Sequence, residues 1–374
     1  MVMTATRPES SGAVRPTLVD GDIHTTFASS AIAKKYLATR WHEYYDQYGK
    51  FGYQGFTYPK DTPNAARHDA FPPEGGPPGS SLPFLREQLL DEWGIDLAIN
   101  NPLTHSQLNR NPGFSEALCQ AINDWQLAEW TEPEPRVKAS ITVPAEYGEA
   151  AAREIDRLGP NPNYVQVLMS IRTVEPLGRP KYWPIYEAAE RHGLPVGIHF
   201  GGHGGHPITG TGWPSYYVEY HSGMSQSFQS QVISLIYEGV FERFPNLKMV
   251  MIEGGFAWLP PLAWRLDSHW KRLRRDLPHL TRLPSEVIHD HIWLTTQPME
   301  EPDRPEHFVE LLEQGNLYDR LMFATDYPHW DFDAPSDALP KIKLPDGFEQ
   351  KLFFENALGF YRLPDAYQRP ATSR

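Results

Sequence analysis

Cysteine is almost absent from this chain, with Cys119 the only one in 374 residues. An intrachain disulfide is therefore impossible, thiolate clusters for zinc or iron–sulfur are excluded, and a reducing cytoplasm is the expected setting. No stretch approaches the roughly 18 apolar residues of a membrane span, and the opening MVMTATRPESSGAVRP has no apolar centre that would mark a secretory leader. Basic residues are in deficit, 34 Lys and Arg against 47 Asp and Glu for a formal net charge of −13, and they form no long cluster. The footprint of a nucleic-acid partner is thus missing, and no membrane partner is expected. Walker loops, nucleophile elbows and dinucleotide fingerprints are also lacking in any strand-to-helix context. With thiols gone, any metal must be held by His, Asp and Glu, for which the 15 histidines are ample.

What is present is the material of a large core, 40% apolar and 13% aromatic residues, including 11 Trp. Short β-branched apolar runs alternate with longer segments of helical period, the pattern of βαβ units around a parallel sheet. Strands are predicted at 17–24, 96–103, 137–143, 164–170, 195–200, 248–254, 291–297 and 321–327, which is the strand number of a (β/α)8 TIM barrel. Helices are predicted at 31–48, 83–93, 114–130, 146–158, 181–192, 224–243, 304–315 and 347–358, several followed by Gly. The charged run WKRLRRDLPH reads as the solvated face of a helix. Polar tails are expected at 1–15, disordered, and at 365–374, with a single barrel domain over 16–364. Long loops follow strands one and five, on the face where such barrels carry their chemistry, and loops of that length commonly form pocket walls.

Asp22-Ile23-His24 lies at the end of the first strand, where residues two apart share a side and could grip one ion. Alone, an Asp-x-His tripeptide is a weak signal, and a lone strand-end histidine is commonly a hydrogen-bonded core residue. His199 ends PVGIHF, however, and Asp326 ends LMFATDY, so residues of strands one, five and eight meet at one rim. The expectation is a divalent metal held by Asp22, His24, His199 and Asp326, with zinc, manganese or iron all compatible.

The phrases DGDIH, GVFERFPNLKMV, GGFAWLP and FATDYPH resemble the amidohydrolase-related family of aminocarboxymuconate-semialdehyde-decarboxylase-like proteins, over nearly the whole chain. The resemblance implies a metal-dependent hydrolase type of barrel, the strand-one pair and His199 as ligands, and Asp326 as ligand or proton acceptor. The decarboxylases of that family end strand six with an acid/base histidine, whereas this chain reads MIEGGF and places Glu253 there. Glu253 is then a general base, a ligand or bridge for a second metal, or a buried carboxylate paired with Arg243 or Arg265. A strand-six glutamate and the TDYPHWD tail resemble a branch of dinuclear non-haem iron or manganese–iron hydroxylases, which act on 2-aminoisobutyric acid and on a diterpenoid thioester. His203, His206 and His329 are candidates for a second ion or the pocket, or are solvated, capping or stacking groups. His221, after the aromatic run WPSYYVEY, is a candidate catalytic residue if its loop folds inward.

Three functions follow as expectations. The first is a dinuclear oxygenase, one or two ions per chain, using dioxygen to hydroxylate a small carboxylic acid or its thioester. The second is a mononuclear zinc or manganese hydrolase, or a non-oxidative decarboxylase, acting on a small organic acid; Glu253 favours hydrolysis of the two. The third is a noncatalytic partner of a related subunit. A homodimer or larger assembly is expected, with a small molecule as substrate.

Overall fold

The apolar runs that end in acids and histidines become the strands of one parallel sheet. The computed structural model describes residues 18–49, 65–102, 109–202 and 206–363, so both expected tails and His203 lie outside the described residues. The strands are β1 (Val19–Ile23), β2 (Leu97–Asn100), β3 (Val137–Thr142), β4 (Tyr164–Ser170), β5 (Val196–His199), β6 (Met249–Ile252), β7 (Ile292–Thr295) and β8 (Leu321–Met322). They pair in sequence order, every named pair parallel. The ring closes where Gly21 N donates to Phe323 O, Asp326 N to Asp22 O and His24 N to Tyr327 O. The architecture is the (β/α)8 barrel that the alternation of segments predicts.

The helices between strands include α1 (Ser30–Tyr36), α2 (Pro112–Gln126), α3 (Gly148–Leu158), α4 (Trp183–Arg191), α5 (Tyr217–Ser222), α6 (Met224–Tyr237), α7 (Leu259–Leu273), α8 (Pro284–His291), α9 (Glu306–Gly315) and α10 (Asn356–Phe360). The predicted helix 224–243 stops at Tyr237 and resumes after Gly239, whose φ of +73° breaks the ladder. Residues 271–276 on and after α7 are exposed, as the solvated-face reading requires. Helix α8 was not expected; its eight residues are too few for a clear period.

Strand eight is much shorter than the predicted 321–327. Beyond Met322 the chain bonds to Leu352 O, to side chains and to the β1 backbone instead of to β7: Phe323 N donates to Leu352 O, and Thr325 N and Oγ1 both donate to the buried carboxylate of Asp20. Asp326 then turns left-handed, with φ +60°. Inside the barrel, Val19, Leu97, Val165, Val250, Trp293 and Met322 pack against Phe354, Ala357, Phe360 and Tyr361. Most of these strand residues lie near strand starts, so the C-terminal helix α10 plugs the bottom and leaves the opposite mouth for chemistry.

Candidate metal centre

Four strands bring five ionisable groups to that mouth. Asp22 is the fourth residue of β1 and His24 follows the strand directly. His199 ends β5, and Glu253 follows β6 with φ +59°. Glu253 and Asp326 thus share a left-handed backbone that non-glycine residues rarely adopt, a strain that concentrates at functional sites. All five side chains are buried.

Asp22, His24, His199 and Glu253 each offer a donor atom within 4.8 Å of the others, and His24, Glu253, Asp326 and His329 form a second such group. His199 Nε2 stands 3.3 Å from Asp22 Oδ2 and 3.3 Å from Glu253 Oε2. Those three atoms are buried and have no hydrogen-bond partner among the described residues. Buried polar atoms are rarely left so. Three orphaned donors facing one another are what a cation would satisfy, and two carboxylates with an imidazole suit zinc, manganese or iron.

The histidines are oriented from behind. His24 Nδ1 donates to Asn101 O at 2.7 Å, and His199 Nδ1 donates to Phe200 O at 2.6 Å. A carbonyl only accepts, so each Nδ1 carries the hydrogen and each Nε2 faces the centre. Asp326 Oδ1 lies 2.7 Å from both His24 Nε2 and His329 Nδ1.

Negative charge is in excess here. Burial, then the Asp326, Asp331 and Asp22 carboxylates, push Glu253 well above the usual range. Burial opposes the charged form of His24, yet Asp22 and Asp326 outweigh it and push that group up to about 9. Burial likewise raises Asp326, but His329 and His24 overcome it and hold the carboxyl well below its ordinary value. Among the described residues, Asp22, Glu253 and Asp326 have histidines but no Lys or Arg as ion-pair partners. The pairing of Glu253 with Arg243 or Arg265 does not occur; Arg243 lies over the Trp183 ring instead.

The loop histidines divide. His329 joins the second donor group, carried there by the antiparallel bridge between Ala66 and His329. His221, on α5, sits 3.1 Å from Asp331 Oδ2 and packs against Trp330, Tyr217 and Phe200. It lines the mouth without entering either group. His206 departs from the second-metal expectation: it is exposed, and its ring nitrogens bond to the carbonyls of Thr173 and Pro207. Three residues went unnoticed in the sequence, Asn101, Gln297 and Asp331. Gln297 Nε2 donates to Asp326 Oδ2 and Asp331 Oδ2, at 3.2 and 2.9 Å. The TDYPHWD phrase contained Asp331, but nothing in its spacing tied it to His221.

The amidohydrolase family description matches residues 20–363. A γ-resorcylate decarboxylase of Polaromonas sp. is 24% identical over 303 residues, covering 74% of this chain and 86% of the relative. The 2-amino-3-carboxymuconate-6-semialdehyde decarboxylase of Dictyostelium discoideum is 27% identical over 260 residues, covering 67% and 68%. Among solved structures, 5-carboxyvanillate decarboxylase of Sphingomonas paucimobilis superposes with a TM-score of 0.68 at 21% identity, over 94% of this chain and all of that one. Dihydroxybenzoic acid decarboxylase of Polaromonas sp., with bound manganese and 2-nitroresorcinol, gives 0.63 at 18%, over 92% and 97%. The structural likenesses show the shared barrel, and the family match spans the rim from Asp22 to Asp326. The chain belongs to the amidohydrolase family of metal-dependent enzymes.

Proposed function

We propose that this enzyme releases carbon dioxide from a small carboxylic acid, aromatic or conjugated, without dioxygen, at a divalent centre held by Asp22, His24, His199 and Asp326. One observation carries the reading: the orphaned atoms Asp22 Oδ2 and His199 Nε2 face each other 3.3 Å apart at the barrel mouth, Asp326 joins them through His24 at 2.7 Å, and the third orphan, Glu253 Oε2, lies 3.3 Å from the same His199 nitrogen. The decarboxylase names of the similar proteins support it over the oxygenase expectation. A divalent ion held by these residues would supply positive charge toward the substrate's oxygens in this acidic pocket. Decarboxylation breaks the bond from the carboxylate carbon to its neighbour and leaves the electron pair on that neighbouring carbon, which takes a proton as carbon dioxide departs. Glu253, whose Oε2 faces the rim unbonded, is placed to deliver it from its carboxyl and regain it from water. Tyr217, Trp330 and Phe200 pack around His221 beside the mouth and offer ring faces to a flat substrate.

Hydroxylation is the second reading, favoured by the two overlapping donor groups that share His24 and Glu253. There Glu253 would bridge two ions. The test is turnover of hydroxylated benzoates by manganese-loaded protein under argon, with released carbon dioxide and bound metal both measured. Anaerobic release with one ion per chain supports the first reading. A dioxygen requirement with two ions per chain supports the second.

A further inference from the structure

Behind the rim, an unbroken row of polar side chains crosses the barrel interior from β4 to β1. Gln166 on β4 donates from Nε2 to Ser140 Oγ on β3, at 2.8 Å, and to Asn101 Oδ1, also at 2.8 Å. Ser140 Oγ donates to Asn101 Oδ1 at 2.7 Å. Asn101, just past β2, donates from Nδ2 to Asp22 Oδ1 at 2.7 Å. All four side chains are buried. The direction of each bond is fixed: two donors meet the amide oxygen of Asn101, so its NH2 must face the carboxylate.

Room for the row is built into the next strand. A Cβ at Gly197 of β5 would lie 2.7 Å from Gln166 Oε1, closer than side-chain carbons approach. Gly197 therefore lets Gln166 lie flat against the strand.

Asn101 acts on both strand-one groups at once. Its carbonyl takes the His24 Nδ1 hydrogen, which turns Nε2 to the mouth. Its amide occupies Asp22 Oδ1, which leaves Oδ2 as the orphan facing His199. We propose that Asn101 is the positioning residue of the metal centre, presetting the Asp22 oxygen and the His24 nitrogen before any ion arrives, with Ser140 and Gln166 holding its amide in one orientation. Preset donors bind without first losing rotamer freedom, and supports of this kind commonly contribute 10–100-fold in metal affinity.

The inference rests on the metal-centre reading, and the test separates the two. Metal-free wild type and N101A are titrated with Mn²⁺ against a competing chelator, with thermal melts of both metal-free proteins beside them. N101A removes the amide but keeps the carbonyl. The expected result is wild-type binding and an affinity about 10–100-fold weaker in N101A, with metal-free N101A melting below metal-free wild type but still in one cooperative transition, because Asp22 Oδ1 loses its buried partner. A folded N101A that binds Mn²⁺ as tightly as wild type overturns the role of Asn101 and leaves the centre standing. A wild type that binds no Mn²⁺ overturns both. If N101A does not fold, S140A replaces it: a several-fold weakening supports the row, and an unchanged affinity overturns it.

Discussion

His24 Nε2 lies 2.7 Å from Asp326 Oδ1, a contact between residues 302 positions apart that joins the first strand to the last. The seam that closes the barrel thus also joins two groups of the centre. The backbone bonds that seal β1 against the strand-eight segment run from Gly21 to Tyr327 and enclose this pair.

Removal of the strand-eight carboxylate should empty the centre. Asp326→Ala takes away the oxygen shared by His24 and His329. Manganese affinity is expected to fall by more than about 100-fold, beyond what a supporting residue contributes. Metal analysis after dialysis checks this, and full retention of metal would contradict ligation by Asp326.

Glu253→Gln keeps size and shape but ends proton transfer at that position. Under the decarboxylation reading, carbon dioxide release should drop about 10²- to 10⁴-fold with one bound ion retained. A variant with wild-type kcat refutes the proton-carrying role.

His221 belongs to neither donor group, so His221→Ala should leave metal content unchanged. It stands beside Asp331, Trp330 and Tyr217, and under the decarboxylation reading that makes it part of the substrate wall. A loss in kcat/KM of about tenfold or more is expected, within the range that positioned polar groups supply. Loss of metal would move His221 into the centre and overturn this division.

The metal-free protein should become less stable as pH rises. His24 is pushed up from 6.5 to about 9 in the folded chain. A group raised on folding contributes stability that is complete below its unfolded value and is lost as pH passes through the folded one. Melts in chelator should therefore show a falling midpoint between pH 6.5 and 9, and Glu253, also raised, acts in the same direction. Mn²⁺ affinity should rise over the same interval, because the ion must displace the His24 proton. A midpoint that climbs from pH 6.5 to 9 would overturn the assignment.

The bottom plug is a matter of packing alone. Phe360 is buried against Trp293, with ring centroids 5.1 Å apart. Phe360→Ala should cost about 3–5 kcal/mol in denaturant unfolding while Mn²⁺ affinity stays at its wild-type value. A concurrent loss of metal would mean that the plug also sets the rim.

Chain order and local pattern carried much of this in the sequence. Alternating apolar runs and helical segments specify eight strands and their succession, because each period dictates which face is buried. The strand-end positions of Asp22, His24, His199, Glu253 and Asp326 follow from the same runs. Helix α8 and the short β8 were not legible. The first is too brief to show its period, and the second yields its pairing to Asp20, a partner 305 residues away.

By itself, then, the sequence determined the barrel, the lack of thiol chemistry and the set of oxygen and imidazole donors that could reach the mouth. Only the tertiary structure decided how those donors divide: His329 inward, His206 out to backbone carbonyls, His221 onto Asp331. It also decided that Asn101, Ser140 and Gln166 form one row. Such choices rest on loop paths and cross-strand distances of a few ångströms, and no spacing along a chain encodes these until the sheet has closed.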